Sequence, residues 1–255
     1  MSGDTLARSE REQLRSRLYG QYATFTYPDQ AVHPPRPVVA HFSGHLMPHI
    51  PLDRDAVIVD IGCGAGSFLH FLRELGYRNV FGVDISPEQV ALAREAGLEC
   101  VEEGEAVDYL TVRQCSFDVV VAIDVIEHLT RFEAVKFLGA ARDALRPGGR
   151  VVLHTLNASA PFFGRIRYGD ITHETAFNRV SLDQVFRAVG LVPVGFTPTH
   201  PTGRFPLRVF RRAIVALYQT LFRLYLAAET GVVHGHILSE SIIAVALRPE
   251  SPEGR

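Results

Sequence analysis

Apolar and polar positions along this chain follow two alternating periods. The run Val57 to Ile61, VIVDI, is apolar except at Asp60, the pattern of a parallel strand covered on both faces. Phe68, Leu69, Phe71, Leu72 and Leu75 then recur at helical spacing and stop at Gly76, a glycine placed to close a helix. The pairing repeats. Val80–Val83 predicts a second strand, and Ser86-Pro87-Glu88-Gln89 predicts a helix start, with Ser86 as cap, proline at the first position and Gln89 placed to reach back. That helix carries Val90 to Ala93 and ends at Gly97. Leu98–Val101, Phe117–Ile123 and Arg150–Thr155 predict strands three, four and five, with a helix from about Phe132 to Leu145 before the last of them. Such alternation predicts an α/β fold built on a doubly wound, Rossmann-like sheet.

Beyond strand five the pattern loosens. Residues 157–178 end in THETAFN and form a segment that the basic fold does not need. Ser181-Leu182-Asp183-Gln184 reads as a second capping box, opening a helix to Gly190, and Leu191–Phe196 predicts strand six. From Arg204 to Ala228, the residues Phe210, Ile214, Leu217, Leu221, Leu224 and Ala228 draw a helical stripe, with Arg204, Arg208, Arg211, Arg212 and Arg223 toward another face. This stretch is too short and too charged to span a bilayer. It reads as a lid or homodimer helix, or as an interfacial helix making peripheral contact with an anionic membrane. Ser241–Leu247 predicts the last strand, and the tail PESPEGR reads as disordered.

At the other end, Leu6, Leu14, Leu18 and Tyr22 suggest an amphipathic helix over Thr5–Tyr22. Prolines at 28, 34, 35, 37, 48 and 51 then break the chain. His41, His45 and His49 recur every fourth residue. No carboxylate accompanies them and Pro48 interrupts the turn, so they read as a partly solvated helix edge rather than a metal site. The expected division is a cap over 1–52, a main domain over 53–250 with an active-site insertion at 157–180 and a helical insertion at 199–235, and a disordered tail at 251–255.

Composition narrows the classes. With 255 residues the chain can bury a full core, and a net charge of −2 calls for no nucleic-acid partner. Three cysteines without paired spacing point to a reducing compartment, and Cys63 reads as filling space within a loop. The polar first segment lacks an apolar signal core, so the expected location is cytoplasmic, with the basic helix offering an inner-membrane contact.

The most informative chemistry follows strand one. Gly62, Gly64 and Gly66 force a tight turn into a helix that opens near Ser67, so backbone N–H groups meet a ligand at a helix N-terminus. Ser67 stands where a dinucleotide fingerprint places its third glycine, which weakens a nicotinamide oxidoreductase reading. The stretch resembles motif I of the class I S-adenosylmethionine-dependent methyltransferases. The resemblance implies seven strands with the last antiparallel, and S-adenosyl-L-methionine held by Asp60, Gly62, Cys63, Gly64, Gly66, Asp84, Ile85, Glu105, Ala106 and Asp124. The loop would support its methionine end and Asp84 its ribose hydroxyls, with Glu105 at the adenine amine and Ala106 lending a backbone contact. An exposed loop carboxylate remains the alternative for Glu105. In similar enzymes the N-terminal segment closes over the cofactor, so Tyr19 or Tyr22 is either a cap on the methionine end or an ordinary packing aromatic.

Strand four ends in Asp124-Val125-Ile126-Glu127-His128-Leu129, beyond the carboxyl end of the sheet, where ligands bind. This resembles ubiquinone-type O-methyltransferases, and also the small-RNA terminal 2′-O-methyltransferases, where two carboxylates and two histidines hold a metal. The matching residues here are Asp124, Glu127, His128 and His173, which would bind Mg²⁺, Mn²⁺, Fe²⁺ or Zn²⁺ and activate a vicinal diol. The competing reading has the carboxylates shaping the site while His128 or His173 alone acts as base. RYGDITHETAF and the long helix further resemble methyltransferases of bacterial surface glycans. The expected function is O-methylation of a small-molecule or glycan hydroxyl. The alternatives are a phenolic or quinone-precursor acceptor, or a non-catalytic cofactor-binding protein.

Overall fold

The seven strands of the sheet run in the order β3-β2-β1-β4-β5-β7-β6. A computed structural model describes residues 17–18, 33–232 and 235–250. The expected helix over Thr5–Tyr22 apart from Arg17 and Leu18, the two tyrosines in it and most of the tail lie outside the described residues. Strands β1 (Val57–Ile61), β2 (Asn79–Asp84), β3 (Val101–Glu103), β4 (Phe117–Ile123) and β5 (Leu145–Leu156) are parallel neighbours. β7 (Ser241–Leu247) runs antiparallel between β5 and β6 (Val192–Pro198).

Alternation along the central strands builds two cores. Val59, Ile61, Val120 and Ala122 face α4 (Ala106–Thr111), α5 (Arg131–Ala144) and α7 (Arg179–Ala188). Ile58, Val119 and Val121 face α2 (Ser67–Glu74) and α3 (Pro87–Glu95) on the other side. The second core also takes in Phe42, Leu46 and Ile50, which follow α1 (Arg36–His41). The proline-broken cap thus packs into the main core here, with Phe42 edge-on to Phe68 at 5.1 Å.

Three boundaries differ from expectation. Leu98 is not in strand three: its N–H closes onto Ala93 after the left-handed Gly97, and β3 begins at Val101. The box read at Ser181 belongs one turn earlier. Asn178 is the cap, accepting from the Ser181 N–H, while Ser181 Oγ accepts from the Asn178 N–H in return. β5 begins at Leu145 and includes the Arg146-Pro147-Gly148-Gly149 irregularity, where the register with β4 shifts. A capping box that sequence reading passed over, Thr130 with Glu133, opens α5.

Two further helices complete the chain. α6 (Phe163–Arg167) lies in the segment after β5, and α8 (Leu207–Thr230) precedes β7. No residue of α8 is buried. Its apolar stripe faces away from the body, with Leu217 64% and Leu221 57% exposed, whereas Arg211, Val215, Tyr218 and Gln219 border a cavity beneath it. No helix among the described residues is long and apolar enough to cross a membrane.

Candidate active site

The turn after β1 depends on glycine geometry. Gly62, Gly64 and Gly66 have φ of 68°, 54° and 84°, a region that side chains disfavour. At Gly62 a β-carbon would meet Val125 Cγ2 at 2.5 Å. The Gly62 N–H donates to Val83 O at 2.8 Å, which fastens the turn to the end of β2. Asp84 completes the join, accepting from the Gly64 N–H and the Ser86 N–H, each at 2.8 Å. Burial raises the Asp84 carboxyl, and these backbone donors partly offset the rise.

Asp60 is the unusual member of this corner. It is 2% exposed, and its Oδ1 is buried without a hydrogen-bond partner. Burial, and then the charge of Asp84, push its carboxyl well above the usual range. A buried acceptor with no donor, beside a helix N-terminus, fits a ligand carrying both a cationic group and a carboxylate, as the methionine end of S-adenosylmethionine does. Cys63 fills the turn as expected: its Sγ donates to Gly64 O, and burial pushes its thiol well up.

At the ends of β4 and β5 the chain places a second constellation. Asp124 adopts φ 53°, and its Oδ1 lies 2.7 Å from His154 Nδ1. Burial alone would raise the Asp124 carboxyl, but His154 holds it below the usual range. Likewise burial would lower His154, but the Asp124 charge raises it. Asp124 keeps 51% of its side-chain surface accessible because it faces the cavity, not because it lies on the outer surface. His154 Nε2 is buried and has no partner. Against His154, at 5.1 Å and perpendicular, lies the ring of His41, whose burial, with His154 and His45 beside it, drives it down to about 4.

The expected helix-edge role fails for one of the three spaced histidines, and a second has a further role. His41 lines the site, and His45 is buried, accepting from the His200 N–H at 2.9 Å. Glu127 is buried and turns to Thr155. Its Oε2 accepts from the Thr155 hydroxyl at 2.9 Å, and burial together with Asp124 pushes its carboxyl up to about 8. Its backbone oxygen accepts from the Glu174 and Thr175 N–H groups, which ties the 170s segment to the end of β4.

That segment brings His173 to His128, with ring centroids 4.8 Å apart. Thr172 Oγ1 lies 2.6 Å from Asp170 Oδ1 and 2.8 Å from His128 Nδ1. Its single proton goes to the carboxylate, so His128 donates through Nδ1 and carries its lone pair on Nε2. His173 donates from Nδ1 to Arg167 O at 3.3 Å and is left in the same state. Burial and then the neighbouring His173 lower His128. Among the described residues, the group of His, Cys, Asp or Glu side chains whose ligand atoms all lie within 4.8 Å of one another is His128, Asp170 and His173.

These groups meet in one cavity of about 770 Å³. Asp60, Gly62, Cys63, Gly64, Asp84, Ile85, Glu105, Ala106, Asp124, Glu127, His128 and His173 all line it. Gly66 does not. A β-carbon there would meet Leu98 Cδ1 at 2.2 Å, so it serves the turn and its packing. The four residues matched to a metal site share the cavity but divide within it, Asp124 toward His154 and Glu127 toward Thr155. Sequence reading missed His154, His41 and Asp170. The signal for His154 was a lone histidine in the apolar run VVLHTL, analogous to Asp60 in VIVDI.

Fold and glycine corner together define the class: a class I S-adenosylmethionine-dependent methyltransferase. Residues 38–194 match the family model described as a methyltransferase domain, and the chain belongs to that family. The ubiquinone biosynthesis O-methyltransferase of Cereibacter sphaeroides strain KD131 is 31% identical over 133 residues, 49% of this chain and 51% of that protein. Its counterpart in Xanthomonas axonopodis is 32% identical over 145 residues, 53% of this chain and 56% of that one. The chain thus spans about half the length of the curated relatives it matches. A SAM-dependent methyltransferase structure from Archaeoglobus fulgidus superposes with a TM-score of 0.62 at 20% identity, covering 82% of this chain and 92% of that one.

Proposed function

We propose that the protein transfers a methyl group from S-adenosylmethionine to a hydroxyl oxygen, with histidine as the base. The observation that carries this reading is the Asp124–His154 pair, 2.7 Å apart in the same cavity as the glycine corner. The cofactor supplies an electrophilic methyl on a sulfonium. Asp60 would hold its ammonium group, the α2 N-terminus its carboxylate, and Asp84 its ribose, while Ile85, Glu105 and Ala106 would border the adenine. A hydroxyl becomes a competent nucleophile as its proton leaves. Asp124 fixes the His154 ring with Nδ1–H toward the carboxylate, so Nε2 is the atom that accepts that proton. His128, oriented through Thr172 by Asp170, lines the same cavity.

A divalent cation, if used, would be held by His128, Asp170 and His173, whose mixed nitrogen and oxygen donors suit Mg²⁺, Mn²⁺, Fe²⁺ or Zn²⁺. Bound there it would orient acceptor oxygens. The relatives named for ubiquinone biosynthesis support a phenolic acceptor, and the expectation from sequence was a sugar hydroxyl; both need the same base. The test is calorimetry with S-adenosylhomocysteine, followed by tritium transfer from labelled S-adenosylmethionine to phenols and to glycosides. Cofactor binding with label appearing in an alkali-stable ether supports the reading. No cofactor binding, or label found only on nitrogen or sulfur, overturns it.

A further inference from the structure

His41 and His154 border two cavities. Besides the large one, a second of about 440 Å³ opens on their far side, roofed by α8 and floored by the ends of β6 and β7. We propose that this second cavity is the acceptor site, that it takes a polyhydroxylated ring such as a pyranose, and that His154 Nε2 receives the acceptor's proton. The inference rests on the O-methyl transfer reading above and deepens it.

Three observations carry it. First, His154 lines both cavities and its Nε2 is buried without a partner, a need that an acceptor hydroxyl would meet. The His41 ring packs perpendicular to His154, with centroids 5.1 Å apart, and α1, which carries His41, holds no buried residue. In the proposed site that ring turns aside and opens Nε2 to the acceptor. Second, the walls offer donors and acceptors of both signs at close quarters: His200, Arg211, Gln219 and the Arg165–Glu240 ion pair. An apolar acceptor would strip water from these groups and return no hydrogen bonds. A ring bearing several hydroxyls both donates and accepts, and so replaces that water group by group. Third, Phe162 and Tyr218 lie nearly parallel at 5.8 Å on one wall, an apolar surface for the C–H face of a sugar ring.

In the step itself, the acceptor oxygen forms a bond to the methyl carbon as the carbon–sulfur bond breaks. The electron pair of that bond goes to sulfur, giving S-adenosylhomocysteine, and the hydroxyl proton moves to His154 Nε2. Nothing else is consumed.

The experiment uses the full chain with S-adenosylhomocysteine bound and follows saturation-transfer NMR of methyl pyranosides (hexose, 6-deoxyhexose and hexuronate). Tritium transfer to the same glycosides and to 3,4-dihydroxybenzoate accompanies it. Val215→Phe fills the cavity from α8, and Gln219→Ala removes one wall contact should the first variant fold poorly. The expected result is glycoside binding and methylation in the natural protein, weakened about tenfold or more in KM by either variant, with S-adenosylhomocysteine affinity held within about twofold. His154→Gln should lower kcat about a hundredfold or more while moving KM little. Glycosides that neither bind nor react, or whose turnover ignores both cavity variants, overturn the inference. Methylation of the phenol in place of every glycoside overturns the acceptor class and leaves the O-methyl transfer reading standing. Loss of S-adenosylhomocysteine binding by the natural protein strikes the underlying reading instead.

Discussion

Asp124 Oδ1 and His154 Nδ1 lie 2.7 Å apart across the ends of adjacent strands β4 and β5, and the same two residues are also joined by the backbone, Asp124 N–H to His154 O. The double link fixes the imidazole plane. It also requires Asp124 to hold φ 53°, a conformation that Asn tolerates and most side chains do not. Asp124→Asn should therefore fold with little change in Tm yet lose methyl transfer by about 10²–10⁴, since a neutral amide neither selects the tautomer nor supports the imidazolium. Steady-state kcat with S-adenosylhomocysteine affinity as the control checks this. A variant within threefold of the natural rate would assign the base elsewhere, to His128 first.

How far this pair was legible in the sequence is instructive. Asp124 was, because a polar residue closing an apolar parallel strand marks the ligand-binding edge. Its partner was not. In a strand covered on both faces every position reads as core, so VVLHTL offers no alternation to say where His154 points. The register with β4 sets it opposite Ile123, on the face where α1 brings His41. His41 in turn was hidden because the chain leaves α1 through a π-turn, Phe42–Leu46, which breaks the four-residue spacing on which the helix-edge reading rested. Asp170 lies in a segment without periodicity. Only its short bond to Thr172 reveals that it orients His128. The strand and helix succession, by contrast, was readable almost throughout, since each element carries its own period and its own cap.

Asp60 gives a prediction with two opposite signs. Its raised carboxyl means that ionisation is disfavoured in the folded chain, so stability is present below the ordinary carboxylate range and falls as pH rises through the folded value. Asp60→Asn removes that cost, and the ligand-free protein should melt at the same temperature or higher at neutral pH. The same change deletes the proposed partner of the cofactor's ammonium, so S-adenosylhomocysteine affinity should drop about tenfold to a hundredfold, the scale of a charge-assisted hydrogen bond. Thermal melts with and without ligand read both effects at once. A variant that loses stability and keeps affinity would make Asp60 a structural residue.

Glu127 predicts a pH dependence. Burial and the nearby Asp124 charge raise its carboxyl from 4.5 to about 8, so the folded state favours the protonated form. Stability from this group is complete below 4.5 and is lost as pH rises through 8. Glu127→Gln, which mimics the protonated acid and still accepts from Thr155, should match the natural protein at about pH 5 and surpass it at about pH 9. Melting curves at the two pH values decide it. Equal Tm at both would mean that Glu127 ionises freely.

The division of the four expected metal ligands yields a fourth test. If a cation binds at His128, Asp170 and His173, calorimetric titration of the chelator-treated protein with Zn²⁺ or Mn²⁺ should show one site. Asp170→Asn or His173→Ala should abolish it, and Asp124→Asn should leave it unchanged. Loss of the metal signal in Asp124→Asn would instead support the four-residue set implied by resemblance.

The outward stripe of α8 is the last feature with a measurable consequence. A helix usually turns its apolar side to the core, and here Phe210, Ile214, Leu217, Leu221 and Leu224 are all more than half exposed. Their burial therefore contributes little to the stability of a lone chain. A double change, Leu217→Glu with Leu221→Glu, removes little packed surface and leaves the helix propensity almost unchanged. Its effect on the Tm of a monomer should stay within about the surface range of 0.5 kcal/mol per site, against ~2–5 kcal/mol for Leu69→Ala in the buried face of α2. Sedimentation at the protein concentration of the melt separates the two cases that matter. A small change in Tm and an unchanged mass are the outcome for a stripe open to solvent. A drop comparable to that of Leu69→Ala, together with a halved mass, would show that the stripe is covered in solution by a second copy of the chain.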